Sequence, residues 1–108
     1  MKKDVALQWI AALRSGKYEQ GTGYLESSDG QFCCLGVLCA IAPNANNRER
    51  IRGLTLEDQH SVFKWAGLKD PQGQVYVDDN PRLLTDLNDS GTDFKTIADI
   101  IEKNIEEL

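Results

Sequence analysis

The chain has 108 residues and a mass of 12.0 kDa, the size of one domain with one modest hydrophobic core. Its 41% hydrophobic and 27% charged residues are typical of a globular protein and exclude an intrinsically disordered chain. The net charge of −5 and the pI of about 4.7 argue against general nucleic-acid binding, which usually needs a basic surface.

The first third of the chain predicts a helix, a glycine-rich turn and a hairpin. Apolar residues recur at helical spacing over 5–15, with Asp4 expected as the N-cap and Gly16 as the C-terminal glycine. Strands are predicted at 24–27 and 31–33, on either side of a Ser-Asp-Gly turn.

The most apolar segment of the sequence covers residues 34–42. A segment that is apolar on every side is buried, and we predict a central helix that ends before Pro43. Gly36 would allow another backbone to approach this helix closely. Residues 43–54 are polar and predict a loop.

The second half of the sequence predicts three more helices and a short strand. One helix is expected from Thr55 to Gly67, a strand at 74–77, and a short helix that carries Leu83, Leu84 and Leu87. The last helix is expected after Thr92 or Asp93 and has the clearest apolar stripe. The fold class predicted is therefore α+β: a compact single domain over residues 1–108, with about four to five helices and a small antiparallel β-hairpin or sheet.

The sequence has neither a signal-peptide pattern nor a transmembrane pattern. No apolar run approaches the ~20 residues that a membrane helix needs. The N-terminal residues are polar and begin an amphipathic segment. We therefore expect a cytoplasmic protein without a membrane partner.

Three cysteines, Cys33, Cys34 and Cys39, form an odd set with a spacing unlike that of zinc sites. Core packing is their favoured role, since free cysteine behaves as a small hydrophobe. One thiol of the adjacent pair could still face a pocket. The enzyme alternative makes Cys33 or Cys34 a nucleophile with His60, the only imidazole, as its base.

Acidic residues offer a second possible chemistry. Asp70, Asp78 and Asp79 flank the predicted strand at 74–77 and could hold Mg²⁺. No phosphate-binding, dinucleotide, metalloprotease or hydrolase motif accompanies them. Loop solvation is the better interpretation, and we expect no metal, no cofactor and no catalytic residue.

The segment over residues 14–25 suggests a pocket for a small nucleotide. Its three glycines allow positive φ and expose amides that can bind anionic oxygens. Aromatic side chains offer stacking faces, Gln20 can pair with a base edge, and basic side chains can pair with phosphate. The residues proposed to bind the ligand are Trp9, Arg14, Lys17, Tyr18, Gln20, Tyr24, Cys33, Cys34, Arg48, Arg50, Asn88 and Asp89. The same segment also suits an ordinary junction between a helix and a hairpin, in which Gly16 is the C-terminal glycine and the aromatic side chains belong to the core.

Charge is divided unevenly along the chain. Residues 1–54 hold seven basic and five acidic side chains, whereas residues 55–108 hold five basic and twelve acidic ones. This difference can serve solubility alone. It also suggests a second function, in which the acidic half covers a basic surface of another protein.

Two blocks of sequence carry a family resemblance. The first block comprises Trp9–Gly21, Gly23–Leu25 and the Phe-Cys-Cys-Leu-Gly-Val-Leu-Cys run at 32–39. The second block begins with Leu-Thr-Asp-Leu-Asn-Asp-Ser-Gly at Leu84 and continues to Ala98. Together they resemble a family of small, mostly uncharacterised bacteriophage and prophage proteins. Ala40 departs from the pattern, which has an acidic residue there. Residues 43–54 have no counterpart in it.

The resemblance implies a phage-encoded protein that acts in the host cytoplasm. By analogy with small phage proteins that counter host defence, it suggests binding and sequestration of a nucleotide-derived signal. The leading hypothesis is thus a non-enzymatic binding protein, and a protein–protein inhibitor of a host enzyme is the main alternative. A homo-oligomer is a reasonable expectation, because burial between copies would add to a small core.

Overall fold

A computed structural model describes residues 1–43 and 51–108 of the chain. Helix α1 spans Lys3–Arg14 and buries one face, as its apolar spacing predicts. It begins one residue before Asp4, with Lys2 at the N-cap position, so the expectation that Asp4 is the cap is wrong. Asp4 lies instead in the first turn, where a negative charge opposes the helix dipole favourably. Gly16 follows the helix with φ +78°, as expected for its C-terminal glycine.

The segment between α1 and α2 reverses direction without forming regular strands. The N–H of Ser27 donates to the Gln31 carbonyl at 2.8 Å, which closes the predicted turn. Phe32 makes isolated bridges to both Gln20 and Glu26. The predicted strands at 24–27 and 31–33 are therefore wrong, although the turn between them is present. Phe32 connects two passes of the chain, and neither pass is long enough for a strand.

Helix α2 spans Cys34–Ile41 and lies at the centre of the domain, as predicted. Its first six residues are all buried. The Cys33 Sγ atom accepts a hydrogen bond from the Gly36 N–H at 3.4 Å and so caps the helix. Gly36 packs directly against the backbone of Leu25, which confirms the close approach expected there.

The predicted helix from Thr55 is divided in two. Thr55 caps a short 3-10 helix over Leu56–Asp58 by accepting the N–H of Glu57. Gln59 then adopts a non-helical conformation, and α3 begins at His60 and ends at Ala66. Gly67 terminates α3 with φ +72°, in the position that the sequence indicated.

The sheet has two antiparallel strands, β1 over Gln74–Val77 and β2 over Asn80–Leu83. Val77 pairs with Asn80, so the connecting turn contains only Asp78 and Asp79. Both aspartates have positive φ, which is the geometry of a tight hairpin turn. The sequence interpretation ended the strand here and missed β2. Helix α4 follows without a break over Leu84–Asp89.

Helix α5 spans Phe94–Lys103 and packs mainly against α1. Asp93 caps it by accepting the Thr96 N–H at 2.9 Å. The apolar stripe of the sequence continues to Ile105 and Leu108, but the helix ends before them, with Asn104 as its C-cap. The buried Asn104 carboxamide accepts the N–H of Tyr76 and donates to the Tyr76 and Ile100 carbonyls, which ties the C-terminal segment to β1.

Within the described residues, one hydrophobic core joins these elements, and the five α-helices with a two-stranded antiparallel sheet confirm the α+β class. Its largest fully buried side chains come from α1, α2, α4, α5 and the segments outside these helices: Trp9, Leu25, Leu35, Leu38, Leu56, Leu84, Ile97, Ile101 and Leu108. Within residues 1–43 and 51–108, every helix is too short or too polar to cross a membrane.

Candidate functional site

A network of hydrogen bonds around Asn88 joins the two blocks of sequence singled out above. Asn88 is fully buried at the end of α4. Its side-chain oxygen accepts the Cys34 N–H at 3.1 Å and a Gln20 amide hydrogen at 2.9 Å. Its nitrogen donates to the Gly21 carbonyl at 2.8 Å and, more weakly, to Asp89 at 3.3 Å. The Asn88 side chain, which was predicted to bind the ligand, thus holds α2, α4 and the glycine-rich segment together.

Gln20 and Asp89 extend this network to both ends of the glycine-rich segment. The Gln20 amide also donates to the Thr92 carbonyl at 2.8 Å. The Asp89 carboxylate accepts the N–H of Gly23 at 3.0 Å. Gln20 was predicted to read a base edge, but its NH₂ group is shared between two acceptors inside the protein. These polar groups fix the path of residues 20–23.

The predicted aromatic faces differ in their accessibility. Trp9 has 0% exposure, and its indole N–H donates to the Cys34 carbonyl at 2.9 Å. Tyr18 is half-buried and packs edge-on against Phe32, with ring centroids 5.3 Å apart. Tyr24 is 59% exposed, so it is the one of the three that presents an open ring to solvent.

The predicted basic residues do not converge in the described part of the chain. Arg14 donates to Asp99 at 2.6 Å and to Glu102 at 3.3 Å, and these hydrogen bonds raise its pKa further above the usual value. Lys17 is exposed beyond the end of α1. Arg48 and Arg50 lie outside the described residues.

All three thiols are buried. Burial raises the pKa of Cys33, and the hydrogen bond from Gly36 only partly opposes that effect. Burial, with a further contribution from Cys33, places the pKa of Cys34 well above its usual value and that of Cys39 at about 12. The Cys34 thiol also lies 3.6 Å from the Leu84 carbonyl oxygen as a weak donor. The protein therefore keeps these side chains as neutral thiols at neutral pH. Core packing, the favoured interpretation, fits their burial.

The residues proposed for the remaining catalytic and metal-binding alternatives lie at or near the surface. His60 is exposed at the start of α3. Asp78 and Asp79 are exposed in the hairpin turn, and Asp70 accepts the backbone N–H of Gln72. Among residues 1–43 and 51–108, no three His, Cys, Asp or Glu side chains come together as a metal site would require.

Tyr24 stands in an open cleft of about 520 Å³, which we call the Tyr24 cleft. It is formed where two segments run side by side: the Leu25 N–H donates to the Gly53 carbonyl at 2.9 Å, and the Ile51 N–H donates to the Glu26 carboxylate at 3.0 Å. The residues that line it are Tyr24, Glu26, Ser27, Ser28, Ile51, Arg52 and Gly53.

Of these residues, only Tyr24 belongs to the set predicted from the sequence to bind the ligand. The other members were missed because the cleft depends on pairing between residues 24–26 and 51–53, which are far apart in sequence. One usable signal was the Ser-Asp-Gly turn after Ser27, which places small polar residues beside Tyr24. The Gln59 side chain donates to the Arg52 carbonyl at 2.9 Å and fixes the second segment, and no local pattern indicates that contact.

Two smaller clefts lie near the hairpin. One, of about 360 Å³, is lined by Lys69, Asp70, Gln74, Tyr76, Glu107 and Leu108. The other, of about 330 Å³, is lined by Gln74, Pro81, Arg82, Leu83 and Asp86. Neither contains a residue that was predicted from the sequence to bind the nucleotide, whereas the Tyr24 cleft contains Tyr24.

Comparison with known proteins gives a family but no activity. No curated protein and no solved structure matches the chain. A family model described as a domain of unknown function (DUF8296) matches residues 1–105. Because the match covers almost the whole sequence, the chain belongs to the DUF8296 family.

Proposed function

We propose that this protein is a non-enzymatic binding protein that holds a small nucleotide-like molecule in the Tyr24 cleft. The observation that carries the proposal is the exposure of Tyr24. Its side chain is 59% exposed, although the next residue, Leu25, is fully buried and bonded to Gly53. An open aromatic ring on a fixed backbone is suited to stacking against a flat base.

The chemistry of the cleft fits two parts of a nucleotide. The Tyr24 ring offers a stacking face, and the Arg52 guanidinium offers a charged donor for phosphate oxygens. Ser27, Ser28 and Glu26 add polar groups for hydroxyl or amino hydrogens. The volume of about 520 Å³ falls within the range of small-molecule sites.

The proposal omits catalysis because the candidate nucleophiles are unsuited to it. A reactive cysteine is exposed and has a lowered pKa. Cys33 and Cys34 are buried, and their pKa values are raised. His60, the required base, lies on the exposed side of α3.

On the resemblance to bacteriophage proteins, we place this binding activity in the host cytoplasm. A sequestering protein would lower the free concentration of a nucleotide-derived defence signal without changing it chemically. Such a role needs tight binding and no turnover, so it requires a ligand site but no catalytic residue.

Native mass spectrometry with a panel of nucleotides tests the proposal first, since it reports bound mass and subunit number together. The panel contains mononucleotides, cyclic dinucleotides and ADP-ribose. We expect one class to add a stoichiometric mass. If every member leaves the protein bare at concentrations well above cellular levels, the proposal is wrong.

Calorimetry on matched variants then locates the site. Tyr24→Ala is expected to weaken binding by about five- to 150-fold, since stacking on one base contributes about 1–3 kcal/mol. Arg52→Ala should also weaken binding. Tyr76→Ala and Arg82→Ala change the same residue types on the hairpin, where both side chains are exposed, and should leave affinity unchanged. Equal effects from both pairs would exclude the Tyr24 cleft.

A protein–protein inhibitor is the second candidate, and the placement of acidic residues favours it. Of the twelve acidic residues in 55–108, all but Asp70 are exposed. A basic partner surface would be attracted to them, and its affinity would fall steeply as salt rises. A partner whose dissociation constant does not change between low and high salt would contradict this candidate.

A further inference from the structure

Asp89 is placed to control Tyr24 from outside the cleft. It is the last residue of α4, and its carboxylate accepts the Gly23 N–H at 3.0 Å. Gly23 is the residue directly before Tyr24 and adopts φ +83°. No atom lies within 4 Å of the position that a Cβ would take on Gly23. The position therefore favours glycine because of its backbone conformation and not because a side chain would clash.

The backbone on both sides of Tyr24 is therefore held by partners distant in sequence. Asp89 fixes the preceding residue, and the buried Leu25, bonded to the Gly53 carbonyl, fixes the following one. Tyr24 itself is 59% exposed. Its ring direction depends on the backbone that these two contacts hold.

We infer that Asp89 is a positioning residue that keeps Tyr24 in its ligand-binding orientation, rather than a residue that contacts the ligand. This inference rests on the proposed function for its effect on affinity. Its physical basis is that, when only a fraction of the molecules has the site in its binding conformation, the apparent affinity is reduced by that fraction. Losing the Asp89 contact would lower the fraction of molecules with Tyr24 in place.

A double-mutant cycle separates positioning from direct contact. Asp89→Ala in the wild-type background is expected to weaken nucleotide binding about three- to tenfold. In the Tyr24→Ala background the same change should have no further effect, because the ring that Asp89 positions is absent. If Asp89→Ala weakens binding equally in both backgrounds, Asp89 acts on the ligand directly or on the whole fold, and the inference is wrong.

Asp89→Asn provides the conservative control. Its amide oxygen can still accept the Gly23 N–H, so affinity should return close to that of wild type. A direct role for the negative charge predicts instead that Asp89→Asn binds as poorly as Asp89→Ala, which would overturn the inference.

Amide exchange without ligand tests the positioning step independently of the proposed function. NMR should show the Gly23 amide exchanging faster in Asp89→Ala than in wild type or Asp89→Asn, with the thermal midpoint little changed. Unchanged exchange at Gly23 would overturn the inference even if nucleotides bind. If Tyr24→Ala binds nucleotide normally but Gly23 exchange responds as expected, the proposed site fails while the positioning contact stands.

Discussion

Gly36 shows how strongly a single residue can determine this fold. A Cβ at this position would overlap the carbonyl oxygen of Leu25, which is backbone and cannot rotate away. Leu25 also donates to Gly53 at one wall of the Tyr24 cleft. The absence of a side chain at Gly36 therefore allows the segment that carries Tyr24 to pack directly against α2.

Gly36→Ala is expected to destabilise the protein by about 3 kcal/mol or more, because overpacking against fixed backbone forces α2 and Leu25 apart. The sign of the change in the free energy of unfolding is informative, because a Gly→Ala change in an exposed helix stabilises the protein by about 1 kcal/mol. Chemical denaturation measures the effect. Gly16→Ala, where φ is +78° but no atom lies within 4 Å, should cost only about 1 kcal/mol. Equal or greater stability of Gly36→Ala would contradict the packing described here.

Several important residues could be selected from the sequence by the chemistry of their side chains, but their contacts in the structure could not be predicted. Gly36 was expected to allow a close approach, and its contact with Leu25 confirms that. Gln20 and Tyr24 were selected because an amide and an aromatic ring can bind a nucleotide, and Asn88 was placed in the same predicted site. A buried amide can equally satisfy backbone groups, and only the distances around Asn88 show that it does so here.

At the scale of elements, amphipathic helices were the most predictable features. The stripes of α1 and α5 located both helices, because an apolar face with helical period has few alternatives. The predicted hairpin at 24–33 and the observed one at 74–83 show the limit of local patterns. Ser28-Asp29-Gly30 is a good turn sequence, yet the sheet forms at Asp78-Asp79, where two non-glycine residues adopt positive φ.

Asp79→Gly is expected to stabilise the hairpin by about 0.5 kcal/mol. Glycine is favoured at the second position of a two-residue hairpin turn because it reaches positive φ without steric cost. The gain is partly offset by the greater freedom of glycine in the unfolded chain. Thermal and denaturant unfolding measure the difference, with Gly73→Ala, at φ +75° and against Leu84, as a change expected to destabilise. A clear loss of stability in Asp79→Gly would show that the aspartate side chain has a structural role in the turn.

At the scale of the whole molecule, three thiols in one core make stability depend on pH. The pKa of Cys39 is about 12 in the folded protein against an ordinary value of 9.0. Between these values the unfolded chain releases a proton that the folded chain keeps. Stability is therefore fully present below about pH 9 and falls as pH rises toward 12.

Unfolding measured from pH 8 to pH 11 should show this loss, with a slope of up to about 1.4 kcal/mol per pH unit from each such thiol. Cys39→Ala has a cavity cost at every pH, but its slope above pH 9 should be smaller than that of wild type. In the native protein at pH 8, all three thiols should react slowly with iodoacetamide and become reactive in denaturant. An identical alkaline slope in Cys39→Ala would show that this thiol ionises normally in the folded state.

A nucleotide titration followed by two-dimensional NMR tests most directly our proposal that the Tyr24 cleft is the ligand site of the whole molecule. At 12.0 kDa the protein is well suited to residue-by-residue assignment. We expect saturable shifts in the backbone amides of Tyr24, Ser28, Arg52 and Gly53, with the hairpin amides near Tyr76 unmoved. Saturable shifts confined to another surface, or none with any nucleotide in the panel, would contradict the account.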